Sequence, residues 1–290
     1  MKLQMSKPAK FFLYFFLILV SAIVLLPLLY TVSASFKTNF EIAKGGINLI
    51  PKEFTFENYK TVWGMSGSTI DSKTTFADYT VNSLKVSALT VVIVVVTTAM
   101  SAYCFQRGNF PGRDALYWMF LATMFIGAGS VTVYPLLQVT TKLNINNWIG
   151  LAIVVAGQGS ASNLFLTMGY LKTIPKDLDE SAKIDGCTFF TTWLRIILPL
   201  SIPILGTIAL MTFRGSWNNW MIPRLMLAKD QTATTLVVAI VNLASSGGAG
   251  ASQYNLMMAG SMLSMAPMLI MFLIMNETFV EGITQGSVKG

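Results

Sequence analysis

Long apolar runs alternate with shorter polar stretches along the whole chain. A helix needs about 20 apolar residues to cross the hydrocarbon core of a membrane, and most of these runs reach that length. Backbone groups in lipid must be hydrogen-bonded within the segment, so the runs predict helices rather than open strands. We predict six membrane-spanning helices, at about residues 11–35, 81–105, 116–138, 148–171, 202–221 and 257–275.

The polar stretches divide this all-α chain into parts. Residues 1–36 hold the N-terminus and the first span, and residues 37–80 form a polar loop outside the membrane. Residues 81–280 form a core of five spans, followed by a short tail at 281–290. Two further polar segments lie inside that core, a charged loop at 173–199 and a loop at 223–256.

Composition agrees with this membrane interpretation. Only 11% of the residues are charged and 53% are hydrophobic, whereas soluble domains average about 25% charged residues. The net charge is +7, but the basic residues flank the apolar runs instead of forming one patch. That distribution is typical of membrane orientation and argues against nucleic-acid binding.

Positive charge in short loops indicates which side of the membrane is cytoplasmic. With six spans, the short turn on the outer side holds only Lys142, and the longer outer loops hold further basic residues. Both termini and the charged loop are therefore predicted to be cytoplasmic, as are the following basic residues: Lys2, Lys7, Lys10, Arg107, Arg113, Lys172, Lys176, Lys183, Arg195 and Lys289.

The most charged segment of the second half runs from Pro175 to Pro199. Acidic residues follow Pro175, where a helix N-terminus favours negative charge. Gly186 then offers the left-handed backbone that ends many helices. We predict a short helix over residues 176–185, a glycine turn, and a second helix that lies in the membrane interface.

This segment resembles the cytoplasmic loop of binding-protein-dependent ABC importers. That loop has the pattern E-A-A, three residues, G, nine residues, I-x-L-P; here Glu180-Ser181-Ala182, Gly186, Ile196 and Leu198-Pro199 match it, with Ser181 replacing an alanine. The resemblance implies a coupling helix that docks on an ATPase subunit, with Ser181 and Ala182 presenting a small surface. The implied ATPase-coupling residues are Glu180, Ser181, Ala182, Lys183, Asp185 and Gly186.

Shorter elements resemble the carbohydrate-uptake branch and are similar to those of its maltose G-type permeases. They are Asn58-Tyr59, Asn82-Ser83-Leu84, Trp217-Asn218 and the glycine-rich end of the chain. In that branch the end inserts between the ATPase subunits. The tail residues implied to contact them are Gly282, Thr284, Gln285, Gly286, Val288 and Lys289.

The resemblance implies an all-α polytopic protein with six transmembrane helices and the type I ABC importer permease fold. It also implies a sister permease in a heterodimer, two ATPase subunits, an extracytoplasmic solute-binding protein and a carbohydrate substrate. The implied place is the lipid bilayer of a prokaryotic cytoplasmic membrane, with transport by alternating access.

Polar side chains inside spans mark substrate paths in many transporters. Sugars favour aromatic stacking together with amide or carboxylate hydrogen bonds. The candidate substrate-path residues are Tyr134, Gln138, Gln158, Asn163, Trp217 and Asn218.

No catalytic residue is predicted. The chain has no G-x-x-x-x-G-K-[ST] loop and no histidine, so ATP and Mg²⁺ are expected on partner ATPase subunits, and no cofactor on this chain. Its two cysteines predict neither a disulfide nor a metal site. The alternatives are an importer of another solute, such as a peptide or polyamine, and a passive channel or membrane enzyme.

Overall fold

The computed structural model describes residues 7–46, 48–64, 74–126, 129–244 and 253–287, and no β-strand occurs among them. The side chains of Lys7, Gln231, residues 129–130 and residues 275–287 are not described. The α-helices of the described residues are α1 (Lys7–Ser35), α2 (Asn39–Ala43), α3 (Glu57–Trp63), α4 (Phe76–Arg107), α5 (Arg113–Ala122), α6 (Val133–Lys142), α7 (Trp148–Gly157), α8 (Ser160–Leu171), α9 (Asp177–Ile184), α10 (Phe189–Thr192), α11 (Leu198–Leu200), α12 (Ile202–Trp217), α13 (Met221–Met226), α14 (Leu236–Ala244) and α15 (Tyr254–Ser287).

Short segments of other helical type join some of these elements. Gly129–Thr132 and Gln231–Ala233 are 3₁₀-helical, and a π-helical stretch, Trp193–Ile197, joins α10 to α11. The chain folds into two compact units. Met1–Phe76 and Ala239–Met265 form one unit, and Ala77–Val238 and Ala266–Gly290 form the other.

Three helical segments among the described residues are long and apolar enough to cross a membrane alone: Pro8–Ser35, Phe76–Arg107 and Tyr254–Ile274. Two bent pairs meet the same test together. The pair α7 and α8 bends by 56°, and the segment Phe189–Leu200 bends by 75° from α12. If each bent pair is one span, the described residues contain five.

The third predicted span is not one helix. Residues 116–138 were predicted to be continuous, but α5 and α6 have ten residues each and are separated by turns and a 3₁₀ segment. The physical reason lies partly in Pro135, which falls in the first turn of α6. A proline lacks the backbone N–H that a helix interior requires, but at a helix start no bond is lost. Pro135 therefore lies near a helix start and does not kink a long helix.

The predicted polar loops contain helices of their own. Residues 37–80 hold α2 and α3, and α4 already begins at Phe76. Residues 223–256 include most of α13 and all of α14. At the other end, α15 continues to Ser287, so the residues predicted as a separate tail from 281 onwards are helical up to that point.

Within the first unit, one buried amide ties three segments together. Asn58 on α3 donates from Nδ2 to the carbonyl oxygens of Ser35 and Lys37, at 2.8 Å each. Its Oδ1 accepts from Nδ2 of Asn255 at 2.7 Å. Tyr59 adds a hydroxyl contact of 2.7 Å to Ser35. The Asn-Tyr element therefore binds the end of α1 and the start of α15.

In the second unit, a hydrophobic core positions the charged loop. Side chains from α4, α8 and α12 pack together with Trp193 and Ile197 of the π-helical stretch. Tyr103 from the last turns of α4 belongs to this core, as does Ile174, which precedes α9. Because these residues pack together, the C-terminal end of α4 lies beside the start of α9.

Candidate functional site

Residues within and next to α9 determine where this helix begins and ends. Asp177, Asp179 and Glu180 occupy its first turn, where exposed backbone N–H groups favour negative charge. At its end, Gly186 has φ +76, and its N–H donates to the carbonyl of Lys183 at 3.1 Å. The N–H of Cys187 donates to the carbonyl of Ala182 at 2.9 Å. This is a Schellman cap, so the predicted left-handed backbone of Gly186 is confirmed.

One arginine fastens α9 to α4. Arg107 Nε lies 2.9 Å from Asp179 Oδ2, and both side chains are largely buried. Arg107 Nη2 also donates to the carbonyl of Ile174 at 2.7 Å. The Tyr103 hydroxyl lies 3.5 Å from Asp179 Oδ1, and its ring packs on Phe189 with centroids 4.4 Å apart. Thus contacts with α4 hold both the first turn of α9 and the segment that follows α9.

Neither Arg107 nor Tyr103 was predicted as a site residue. Tyr103 and Asp179 are 76 positions apart in the chain, so no local pattern joins them. The one signal in the sequence was a basic residue at the end of an apolar run. That signal also describes residues that merely set membrane orientation.

The predicted coupling residues do not all face outwards. Glu180, Ser181, Lys183, Asp185 and Gly186 are exposed. Ala182 is 2% exposed, so it packs inside this chain and cannot form part of a small surface for a partner, which corrects that expectation. Its small size serves the chain's own packing beneath α9.

An apolar residue takes part in the exposed face of α9 instead. Ile184 is 87% exposed, and Leu178 on the same helix is also exposed. Leu178 and Ile184 are six positions apart on a helix of 3.6 residues per turn, so they lie on different sides of α9 and do not form one apolar patch. Sequence reasoning passed over Ile184 because one isoleucine among charged residues has no distinctive pattern.

A basic cleft of about 310 Å³ lies beside α9. Arg113, Lys176 and Lys183 line it together with Arg107, and Asp179 and Glu180 are the acids of its lining. Arg107 is paired with Asp179 and Arg113 with Asp114, so Lys176 and Lys183 remain against the one acid Glu180. This side of α9 therefore carries a net positive charge.

The six substrate-path candidates do not form one site. Trp217 is 2% exposed and stacks on Phe213, with ring centroids 5.6 Å apart, so it belongs to the helix packing. Asn163 is buried on α8, whereas Tyr134, Gln138 and Asn218 are exposed. Gln158 is the only one of the six that lines the cleft described next.

This second cleft has a volume of about 540 Å³ and lies at the break between α7 and α8. Gln158 stands at the break in an extended backbone conformation, followed by Gly159 with φ +74. Asn219, just after α12, donates from Nδ2 to Gln158 Oε1 at 3.2 Å. The lining residues are Thr132, Val133, Leu136, Val154, Gly157, Gln158, Asn219, Met221 and Ile222.

The predicted tail residues lie at the end of α15. Gly282, Thr284, Gln285 and Gly286 fall in its last turns, and nothing is described of their side chains. Val288 and Lys289 lie outside the described residues. The role of these six residues stays a prediction.

Known proteins resemble this chain over almost its whole length. No protein-family model matches it. It is 32% identical over 281 residues to the galactooligosaccharides transport system permease protein GanQ of Bacillus subtilis (strain 168), covering 96% of this chain and 95% of the relative. It is 31% identical over 280 residues to the probable starch degradation products transport system permease protein AmyC of Thermoanaerobacterium thermosulfurigenes, covering 97% of each.

A solved structure shares the fold. The crystal structure of a bacterial ABC transporter involved in the import of the acidic polysaccharide alginate contains a chain that matches with a TM-score of 0.76 at 20% identity, covering 95% of this chain and 99% of that one. This chain therefore shares the fold of one chain of that ABC transporter. Together with the relatives, this means that the chain belongs to the permease proteins of carbohydrate ABC transport systems. The resemblance stated from the sequence is confirmed.

Proposed function

We propose that this chain is one of two permease subunits through which an ABC importer passes a sugar or oligosaccharide across the cytoplasmic membrane. Support for the solute class comes from the relatives, whose names include galactooligosaccharides and starch degradation products. These relatives do not favour the alternatives, which are an importer of a peptide or polyamine and a passive channel.

The observation that carries the coupling role is the attachment of α9 to α4. The ion pair between Arg107 and Asp179 and the bond from Arg107 to the carbonyl of Ile174 join the charged helix to a long apolar one. A force applied to the exposed face of α9 is thereby passed to α4. This is the connection that a coupling helix needs if ATPase movements are to drive the spans.

The partners in this proposal are a sister permease, two ATPase subunits and an extracytoplasmic solute-binding protein. ATP-driven closure of the ATPases brings the two coupling helices together. The spans then rock from inward-facing to outward-facing around a cavity near the middle of the membrane, and the binding protein releases its sugar there. The chain itself catalyses no reaction, and both of its termini are cytoplasmic.

A reconstituted transporter tests this function. The chain is co-expressed with its partner subunits and placed in lipid vesicles, and ATP hydrolysis is measured with and without binding protein. We expect hydrolysis to rise when sugar-loaded binding protein is added, and the purified chain alone to hydrolyse no ATP. Stimulation by a peptide-loaded binding protein in place of a sugar-loaded one would contradict the proposed solute class.

A further inference from the structure

We propose that the cleft at the break between α7 and α8 is a binding site for a neutral, hydroxyl-rich solute, contacted by the amide pair Gln158 and Asn219. The proposal rests on the proposed function, because it places part of the sugar path within this chain. It is carried by the position of the helix break, the hydrogen-bonding capacity of the two amides and the lack of charge in the described lining.

The length of α7 indicates that the break lies near the middle of the membrane. Helix α7 has ten residues, which is about 15 Å at a rise of about 1.5 Å per residue. That is roughly half of a hydrocarbon core of about 30 Å. Gln158 therefore stands at the depth where transporters with interrupted helices hold their solutes.

At that depth, an exposed amide cannot face lipid without a cost of several kcal/mol. Non-helical backbone is tolerated there only when it is buried in protein or lines a water-filled cavity. Gln158 is exposed within this chain and Gly159 adopts a left-handed backbone, with nothing within 4 Å of the position that a Cβ would take. The break therefore opens onto the cleft, where Gly157 and Gln158 form part of the lining and Asn219 contacts the Gln158 side chain.

The amide pair keeps hydrogen-bonding capacity for a solute. The bond from Asn219 Nδ2 to Gln158 Oε1 uses one of the two N–H groups of Asn219. Both side-chain N–H groups of Gln158 and the Oδ1 of Asn219 take no part in that bond. Adjacent hydroxyl groups of a sugar both donate and accept, so they match a pair that offers N–H groups beside a carbonyl oxygen.

The rest of the lining selects against charged solutes. None of the described residues that line the cleft is acidic or basic, and most are aliphatic or Met. A carboxylate, phosphate or ammonium group would lose its hydration without gaining a counter-charge, which is costly. A neutral sugar loses less, and its C–H surfaces can contact Leu136, Val154 and Ile222. The volume of about 540 Å³ lies within the usual range for small-molecule sites.

The test uses the complete transporter in lipid vesicles with variants Gln158→Ala, Gln158→Glu and Asn219→Ala. The control is Ile153→Ala, which truncates an exposed side chain of α7 outside the cleft lining. Uptake is measured with radiolabelled maltose, maltotriose and a galactosyl trisaccharide, and with glycerol 3-phosphate as an anionic probe. ATP hydrolysis and co-purification of the subunits are measured in parallel.

We expect each cleft variant to take up the neutral sugar at least about fivefold more slowly, the factor that corresponds to one lost hydrogen bond of about 1 kcal/mol. Hydrolysis should still respond to the loaded binding protein, because α9 and its attachment are unchanged. Gln158→Glu keeps the side-chain size, so its loss of uptake would reflect charge and lost N–H groups. Ile153→Ala should transport like the unaltered chain.

Three other results would overturn the proposal in distinguishable ways. Unchanged sugar uptake by all three cleft variants would remove the binding site and leave the sugar-import function intact. If the sister subunit no longer co-purified with the cleft variants, the amide pair would be a contact between subunits and not a solute site. Uptake of glycerol 3-phosphate but of no neutral sugar by the unaltered transporter would contradict both the site and the proposed function.

Discussion

Arg107 Nε, at the last residue of α4, lies 2.9 Å from Asp179 Oδ2 in the first turn of α9. Arg107 ends a long apolar helix and Asp179 lies in the charged loop, and the two meet beside the segment that precedes α9. Since α9 has only eight residues, it is too short to be stable alone in water. The pair therefore contributes to the order of the helix as well as to its attachment.

Replacing Asp179 with Ala should detach α9 from α4. A largely buried arginine would lose its counter-charge, at a cost of about 2–3 kcal/mol, slightly less than for a fully buried pair. We expect a lower melting temperature and loss of sugar-stimulated ATP hydrolysis in the assembled transporter. Asp114→Ala is the matched control, because Asp114 pairs with Arg113 at the surface. An exposed pair contributes little, about 0–1 kcal/mol. Equal effects of the two substitutions would mean that the buried pair has no special role.

Substitutions at Gly186 should act through the backbone alone. No atom lies within 4 Å of the position of an added Cβ, so a Cβ meets open space, but φ +76 costs an L-residue about 1–2 kcal/mol. We expect Gly186→Val to abolish transport while the protein still accumulates in the membrane, and Gly186→Asn to retain part of it. Gly169→Ala, in the interior of α8 with similar open space, should transport normally. Normal transport by Gly186→Val would remove the coupling interpretation.

The Asn58 amide should be necessary for the stability of its unit. Asn58→Ala leaves the carbonyls of Ser35 and Lys37 and the amide of Asn255 short of partners, so we expect a loss of about 2–4 kcal/mol. Thermal unfolding in detergent micelles measures it. Lys60→Ala on the same helix breaks only an exposed pair with Glu57 and should change little. If both variants unfold at the same temperature as the unaltered chain, the amide is not a structural tie.

Deleting residues 282–290 should preserve membrane insertion, because the apolar part of α15 ends before them. We expect weaker ATPase association or hydrolysis that no longer produces transport. The double variant Thr284→Ala with Gln285→Ala keeps helix-forming residues and separates side-chain contacts from chain length. Co-purification of the ATPase and sugar uptake are the measurements. Full transport by the deleted chain would exclude an ATPase contact here.

Cysteine labelling tests the orientation. In a Cys104→Ser background, Cys187 is the remaining cysteine and is partly exposed. An impermeant maleimide added to intact cells should not label it, because the α9 loop is predicted to be cytoplasmic. Lys142→Cys, placed in the short turn predicted to lie outside, should be labelled under the same conditions. Labelling of Cys187 from outside would reverse the orientation.

The sequence alone was enough to predict helices that are defined by residues close together in the chain. The acids after Pro175 and the glycine at 186 define α9 and its cap within about ten residues of sequence. The apolar runs likewise predicted the three long helices, because lipid requires each backbone segment to satisfy its own hydrogen bonds. The order of residues in the coupling motif was enough to indicate the family.

Packing between distant segments decided the rest. Asn58 and Asn255 are 197 positions apart, and the partner of Asp179 likewise comes from another helix, so neither contact has a pattern that adjacent residues reveal. Trp217 and Asn219 both lie at the C-terminal end of α12 and both carry an N–H group in the side chain. Packing buries Trp217 against Phe213, whereas Asn219 lies beside Gln158. Apolarity places a helix in the membrane, but which of its side chains face a cavity depends on the neighbours that cover the others.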